Sequence, residues 1–144
     1  MITIDLGCGE DPERWLSGAI RVDPGTDVDY AQEHGIIRME AKNLPFKDNS
    51  IDHVFARNSI SYTFGPREAL EEVFAEVLRV LKPNGLFTII ELLEGKGADM
   101  LLEYQEYGPD AEGYKLMVTT KVMQLEDLGN EEPAKDFVLM FQKL

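Results

Sequence analysis

The chain is poor in thiols and imidazoles, with one cysteine, Cys8, and two histidines, His34 and His53, among 144 residues. A single cysteine excludes an internal disulfide framework and any multi-cysteine zinc site. Neither histidine completes a metal-ligand spacing, so no metal centre is expected. Long apolar runs, a signal peptide and a basic leader are missing too, and the expected product is soluble and cytoplasmic. Basic residues are scarce: 14 Lys and Arg face 27 Asp and Glu, for a formal charge of -13. The acids are spread along the chain, and a surface of that sign repels phosphate backbones and anionic headgroups. Neither nucleic acid nor a membrane is the expected partner, and a solvated acidic surface accounts for the charge.

What is present is a succession of short apolar runs without internal repeat, low-complexity tract or linker. The length fits one domain, residues 1–144. Ile2–Leu6, Ala19–Val22, Ile36–Met39, Ile51–Ala56 and Leu86–Leu92 are apolar on both faces and alternate with crossovers, as a parallel sheet covered on both sides requires. The class is α/β. The strongest helix is "PREALEEVFAEVLRVLKPNG", with Leu70, Val73, Phe74, Val77, Leu78 and Leu81 on one stripe, Pro66 in its first turn, and Pro83 and Gly85 ending it. A weaker helix is predicted in "ADMLLEYQEY", and His34 is predicted to end a helix before Gly35. Near the end, "VTTKVMQLED" and "KDFVLMFQKL" are joined by a link too short for a helical crossover, which predicts an antiparallel pair. Five parallel strands followed by that hairpin are expected, with "YKLMVTTKVM" helical or extended at its start.

Chemistry enters at "MITIDLGCGEDP". Gly7 and Gly9 follow the first strand, where open parallel sheets bind ligands, and they permit close backbone approach. Backbone N–H groups exposed in such a turn can hold a carboxylate or phosphate. Fourteen residues beyond Gly9, "AIRVD" ends in Asp23, an acid placed to accept hydrogen bonds from a ribose diol. Read alone, the pair is a nucleoside half-site or a tight turn with an incidental surface Asp. A dinucleotide is disfavoured, because Pro12 occupies the third glycine position and the spacing is shorter than the usual ~20 residues.

The ordered motifs "IDLGCGEDP", "RVDPGTDVD", "MEAKNLPFKDNSIDHVFA" and "EVLRVLKPNGLFTII" resemble class I S-adenosylmethionine-dependent methyltransferases, and most closely the compact type-11-like group. The resemblance covers roughly residues 2 to 92. It implies a Rossmann-like, doubly wound, mostly parallel sheet with a C-terminal antiparallel hairpin, and S-adenosylmethionine as cofactor. It implies that Asp5, Gly7, Cys8 and Gly9 surround the methionine part, that Asp23 binds the ribose and Pro24 lies against the adenine, and that Glu40 and Ala41 lie near the adenine edge. Glu40 stands where the family usually has Asp. Asp11 stands in place of a third glycine, where it either opposes the methionine carboxylate or caps a short helix after Pro12. "RNSISYTF" replaces a His- and Glu-containing stretch of the compact group, and it lacks the Pro-Pro-aromatic run of the amino-methylating DNA enzymes.

Methyl transfer from a sulfonium needs alignment and sometimes a general base, without a covalent nucleophile. Glu91 is the first candidate for base or cation contact, with Asn58 and Tyr62, and beside them Ser59, Ser61 and Glu94. Each of these has a purely structural alternative in loop hydrogen bonding, packing or solvation. Cys8 reads as a small buried residue, and Trp15 as packing or as an edge of the cofactor pocket. Helices that usually precede the first strand are not seen before Ile2, so an open site, or one completed by a second copy or a partner chain, is expected. The functional reading is a methyltransferase acting on a small molecule or protein side chain. Its rivals are a non-catalytic relative that binds S-adenosylmethionine or S-adenosylhomocysteine as a sensor or subunit, and a scaffold without ligand.

Overall fold

The computed structural model describes residues 1–57, 70–92, 113–118, 122–125 and 134–144. Strand β1 (Thr3–Leu6) leads through a 3-10 turn (Pro12–Arg14) to β2 (Ile20–Val22), helix α1 (Val28–His34) and β3 (Ile51–Arg57). Helix α2 (Leu70–Val80), β4 (Leu81–Leu92), β5 (Tyr114–Val118), β6 (Val122–Leu125) and β7 (Ala134–Lys143) follow. The sheet order is β2-β1-β3-β4-β7-β5, with β6 also on β7. β2, β1, β3 and β4 run parallel, whereas β7 is antiparallel to β4, β5 and β6. The α/β class, the parallel half and the terminal antiparallel pair are therefore as expected.

Two rows of side chains carry the sheet. In the first, Ile4, Val54, Phe87 and Phe141 are neighbours in register, and in the second Val22, Leu6, Ala56, Ile89 and Leu139. All nine are inaccessible to solvent. α2 lays Val73, Phe74, Val77 and Val80 onto this core, and the Phe74 ring meets Phe87 at 5.3 Å and Phe141 at 5.2 Å between centroids. Rings at these separations contribute about 1 kcal/mol per pair beyond burial. The Tyr114 hydroxyl reaches back to donate to the Phe74 carbonyl, fastening β5 to α2.

α1 ends at His34, before Gly35, as its sequence predicts. Asp27 caps it by accepting from Asp29 N and Tyr30 N, and Gly35, at φ 67°, ends it in the left-handed region. The Ile36 N–H then donates to the Ala31 carbonyl at 2.8 Å, closing the cap.

Two expectations need correction, and one alternative is decided. Ile36–Met39 is no full strand, for it joins the sheet through the single bridge Val22↔Ile37, and Met39 N turns back to donate to Ile37 O. Four parallel strands result. The α2 stripe stops at Val80, because Leu81 already pairs with Ile51 and opens β4. Tyr114–Val118 is strand from its first residue, since β7 offers it an edge. The helix predicted in "ADMLLEYQEY" lies outside the described residues.

Candidate functional site

The order β2-β1-β3 means that the chain leaves β1 on one side and returns on the other. A crevice opens at such a reversal beyond the carboxyl ends of the strands. The loop Gly7–Gly9 sits there. Its N–H groups, expected to face a ligand, are instead spent within the protein. Gly7 N and Cys8 N donate to the Val22 carbonyl at 2.7 and 3.4 Å, and Gly9 N donates to Asp23 Oδ2 at 2.9 Å. β2 ends at Val22, and its last carbonyl is the acceptor that holds the loop.

Space and a fixed carboxylate are what the loop provides. Gly9 has φ 65°, and a Cβ built there meets no atom within 4 Å. Asp23 is held from both sides, by Gly9 N at Oδ2 and by Gly25 N at Oδ1, 2.8 Å away. Each carboxylate oxygen has two lone pairs. Among the described residues one on each oxygen is used, and one on each remains for the two hydroxyls of a diol.

Asp5 is buried, and its Oδ2 accepts from Leu16 N at 2.9 Å, so it anchors the returning chain. Burial pushes its carboxyl above the usual carboxylate range, against the pull of the Leu16 N–H and the charges of Arg21 and Arg57. Cys8 is buried as well, and desolvation pushes its thiol up to about 12. A thiol of that kind stays protonated at neutral pH and is no nucleophile. Asp11 is exposed and caps the 3-10 turn by accepting from Glu13 N at 3.2 Å, with Arg14 3.6 Å away. Of its two sequence readings, the cap is the one realised.

Pro24 follows Asp23 and is half-buried. Glu40 is exposed and pairs with Lys42 at 3.6 Å, whereas Ala41 is fully buried in the main core, leaving only its backbone to meet a ligand. Glu91 lies in β4 at the register position opposite Phe137. Asn58 and Tyr62, with Ser59, Ser61 and Glu94, lie outside the described residues. Among the described residues no cluster of His, Cys, Asp and Glu is arranged to hold a metal ion, and no helix is long and apolar enough to cross a membrane.

Several residues at the site escaped the sequence reading. Glu10 Oε1 accepts from Asp27 N at 2.9 Å, and the Tyr30 hydroxyl donates to Glu10 O at 2.8 Å, tying the glycine loop to α1. Arg21 stands in register with Asp5, and its Nη2 donates to His34 O at 2.6 Å. A signal existed for Arg21 alone: with Asp23 it puts charge at alternate positions of an apolar strand, hence on one face. Glu10 and Tyr30 meet only because a crossover brings them together.

The profile of the methyltransferase domain family matches residues 4–89, more than half of the chain. The chain belongs to this family. Its sequence is 30% identical over 127 residues to the sterol 24-C-methyltransferase of Yarrowia lipolytica and 26% identical over 113 residues to that of Pneumocystis carinii. These alignments take in 76% and 73% of this chain but only 31% and 27% of the two relatives. A shorter match, 45% over 56 residues, is to squalene methyltransferase 1 of Botryococcus braunii, covering 39% of this chain and 14% of that enzyme. Among solved structures, a SAM-dependent methyltransferase from Aquifex aeolicus superposes with a TM-score of 0.68 at 18% identity, over 100% of this chain and 82% of that one. One from Methanosarcina mazei gives 0.64 at 17%, over 99% and 92%. At such identities the likeness establishes the methyltransferase fold. Membership implies S-adenosylmethionine as the cofactor of this methyltransferase domain, and the open face of Gly9 beside a braced acid fits an adenosyl group.

Proposed function

We propose that this methyltransferase domain binds S-adenosylmethionine between the glycine loop and Asp23 and methylates a small-molecule acceptor. When bound, the cofactor supplies an electrophilic methyl group on a sulfonium sulfur. The residues of the chain bind and orient. Gly7 and Gly9 admit the ligand to the backbone, Asp23 receives the ribose hydroxyls, and Pro24 and the Glu40–Ala41 backbone border the adenine. Asp5 and Cys8 support the loop from beneath. Glu91, Asn58 and Tyr62 are proposed for the acceptor side, where the chemistry asks for alignment and, for a protonated acceptor, a base.

The observation that carries this reading is the pinned Asp23 carboxylate, with one free lone pair on each oxygen, next to a glycine whose outer face is open. Support for a small molecule over a protein side chain comes from relatives named for squalene and sterols. Asp11 as an exposed cap removes the repulsion that would favour a disabled, merely binding relative. Completion of the acceptor side by a partner chain is part of the proposal. A methyltransferase of this fold, with a TM-score of 0.64 at 19% identity over 99% of this chain and 82% of that one, is seen in complex with the Trm112 activator of Haloferax volcanii.

Calorimetric titration with S-adenosylhomocysteine tests the site. Binding at about micromolar Kd, worth ~8 kcal/mol, is expected in the wild type and undetectable binding in Asp23→Ala. A variant that binds as the wild type does overturns the placement.

A further inference from the structure

In this domain the glycine loop is followed by a 3-10 turn of three residues with none of them buried, and among the described residues no long helix follows the loop before β2. Trp15, at the end of that turn, takes the place. Its indole Nε1 donates to the Gly9 carbonyl at 3.0 Å. Gly9 is therefore held at both ends, its carbonyl by Trp15 and its N–H by Asp23. Gly9 also has a left-handed φ, at which a glycine peptide is free to rotate when unrestrained.

Trp15 is itself clamped. The Arg21 guanidinium carbon lies 4.5 Å from the centre of its ring. Tyr30 and His34 meet it edge-on at 6.4 and 5.7 Å, and it packs with Cys8, Ala31 and Ile36 in a small second core. Arg21 is fixed in turn by the His34 carbonyl at the C-terminus of α1, where a cation is favoured. An unbroken line of contacts thus runs from α1 through Arg21 and Trp15 to Gly9 and Asp23.

We infer that Trp15 is a positioning residue of the cofactor site, setting the Gly9 peptide so that the loop and the Asp23 carboxylate stay in binding geometry before the ligand arrives. The inference rests on the reading of this loop as the cofactor site. Preorganisation of this kind raises affinity by lowering the ordering cost of binding. Trp15→Phe keeps an aromatic ring beside Arg21 and deletes the donor together with the five-membered part of the indole.

Trp15 is the sole tryptophan, so one indole N–H resonance and one fluorophore report on it without ambiguity. The test is a titration of the wild type and Trp15→Phe with S-adenosylhomocysteine, by calorimetry well below the unfolding temperature and by proton–nitrogen spectra of the wild type. Trp15→Phe is expected to bind about tenfold more weakly, the size of one hydrogen bond, while its far-ultraviolet spectrum is retained. The wild-type indole resonance is expected to shift along the same binding isotherm as calorimetry. Should the variant not fold, the indole titration decides alone. Wild-type binding with an unmoved indole resonance, or an affinity in Trp15→Phe within twofold of the wild type, overturns the role of Trp15 and leaves the site standing. Absence of binding in the wild type overturns the site and this inference with it.

Discussion

Gly9 and Gly18 both adopt the left-handed backbone, at φ 65° and 76°, and at neither would a Cβ meet another atom within 4 Å. An L-residue forced into that region costs roughly 1–2 kcal/mol, so Gly9→Ala and Gly18→Ala are expected to lose similar stability in urea. Their effects on binding should separate. The methyl of Gly9→Ala projects into the space assigned to the ligand, whereas Gly18 lies in the turn before β2. S-adenosylhomocysteine affinity is expected to fall at least tenfold in Gly9→Ala and to stay unchanged in Gly18→Ala. Equal affinities in the two variants would show that the open face of Gly9 is not where the ligand lies. At this scale the sequence was a good guide to identity and a poor one to orientation. Gly7, Gly9 and Asp23 were legible as a constellation, and the structure joins them. That the loop donors are consumed by Val22 and Asp23 was not legible, because it depends on where β2 stops.

Among elements, the junction of α2 with the segment entering β3 is held by a side-chain network. Arg79 donates from Nη1 to Phe46 O and Asp48 Oδ1, from Nη2 to Leu44 O and Glu76 Oε1, and from Nε to Glu76 Oε2. Glu76 Oε1 also accepts from Leu44 N at 2.8 Å. Removing the fork in Arg79→Ala is expected to cost about 2 kcal/mol at pH 7, discounted because the side chain is 34% exposed. The hydrogen bond from Arg79 holds the Glu76 carboxyl below its ordinary value of 4.5. A carboxyl lowered in the folded state stabilises the fold above its unfolded value, and the contribution is lost as pH falls through the lowered one. Urea midpoints of the wild type and Arg79→Ala should therefore converge as pH drops below about 4.5. A gap independent of pH would show that the ion pair is not what the arginine contributes. The elements themselves were readable where a run is covered on both faces, as Ile4–Leu6 is. Ile36–Met39 misled because its apolar side chains serve the packing around α1 and the main core without needing a ladder of backbone bonds.

The whole molecule carries a charge of -13 at pH 7. Self-repulsion of that size works against the compact state. Its reach shrinks from ~30 Å at 0.01 M salt to ~8 Å at 0.15 M. The thermal midpoint is accordingly expected to rise with sodium chloride over this range, and a midpoint that falls would mean that local ion pairs such as Lys82–Asp52, at 3.2 Å, outweigh the global field. Charge and class were the easiest properties to read, since neither depends on which residues meet.

β7 lies between β4 on one side and β5 and β6 on the other, although it is the last of the seven described strands in chain order. On a ribosome, β1 to β4 emerge first, and β4 then presents an edge that stays unpaired until β7 follows. An apolar edge left open is a template for pairing with other chains. For this domain the vulnerable interval of biosynthesis thus runs from the completion of Leu92 to that of Lys143, when a chaperone holding the β4 edge has the most to protect.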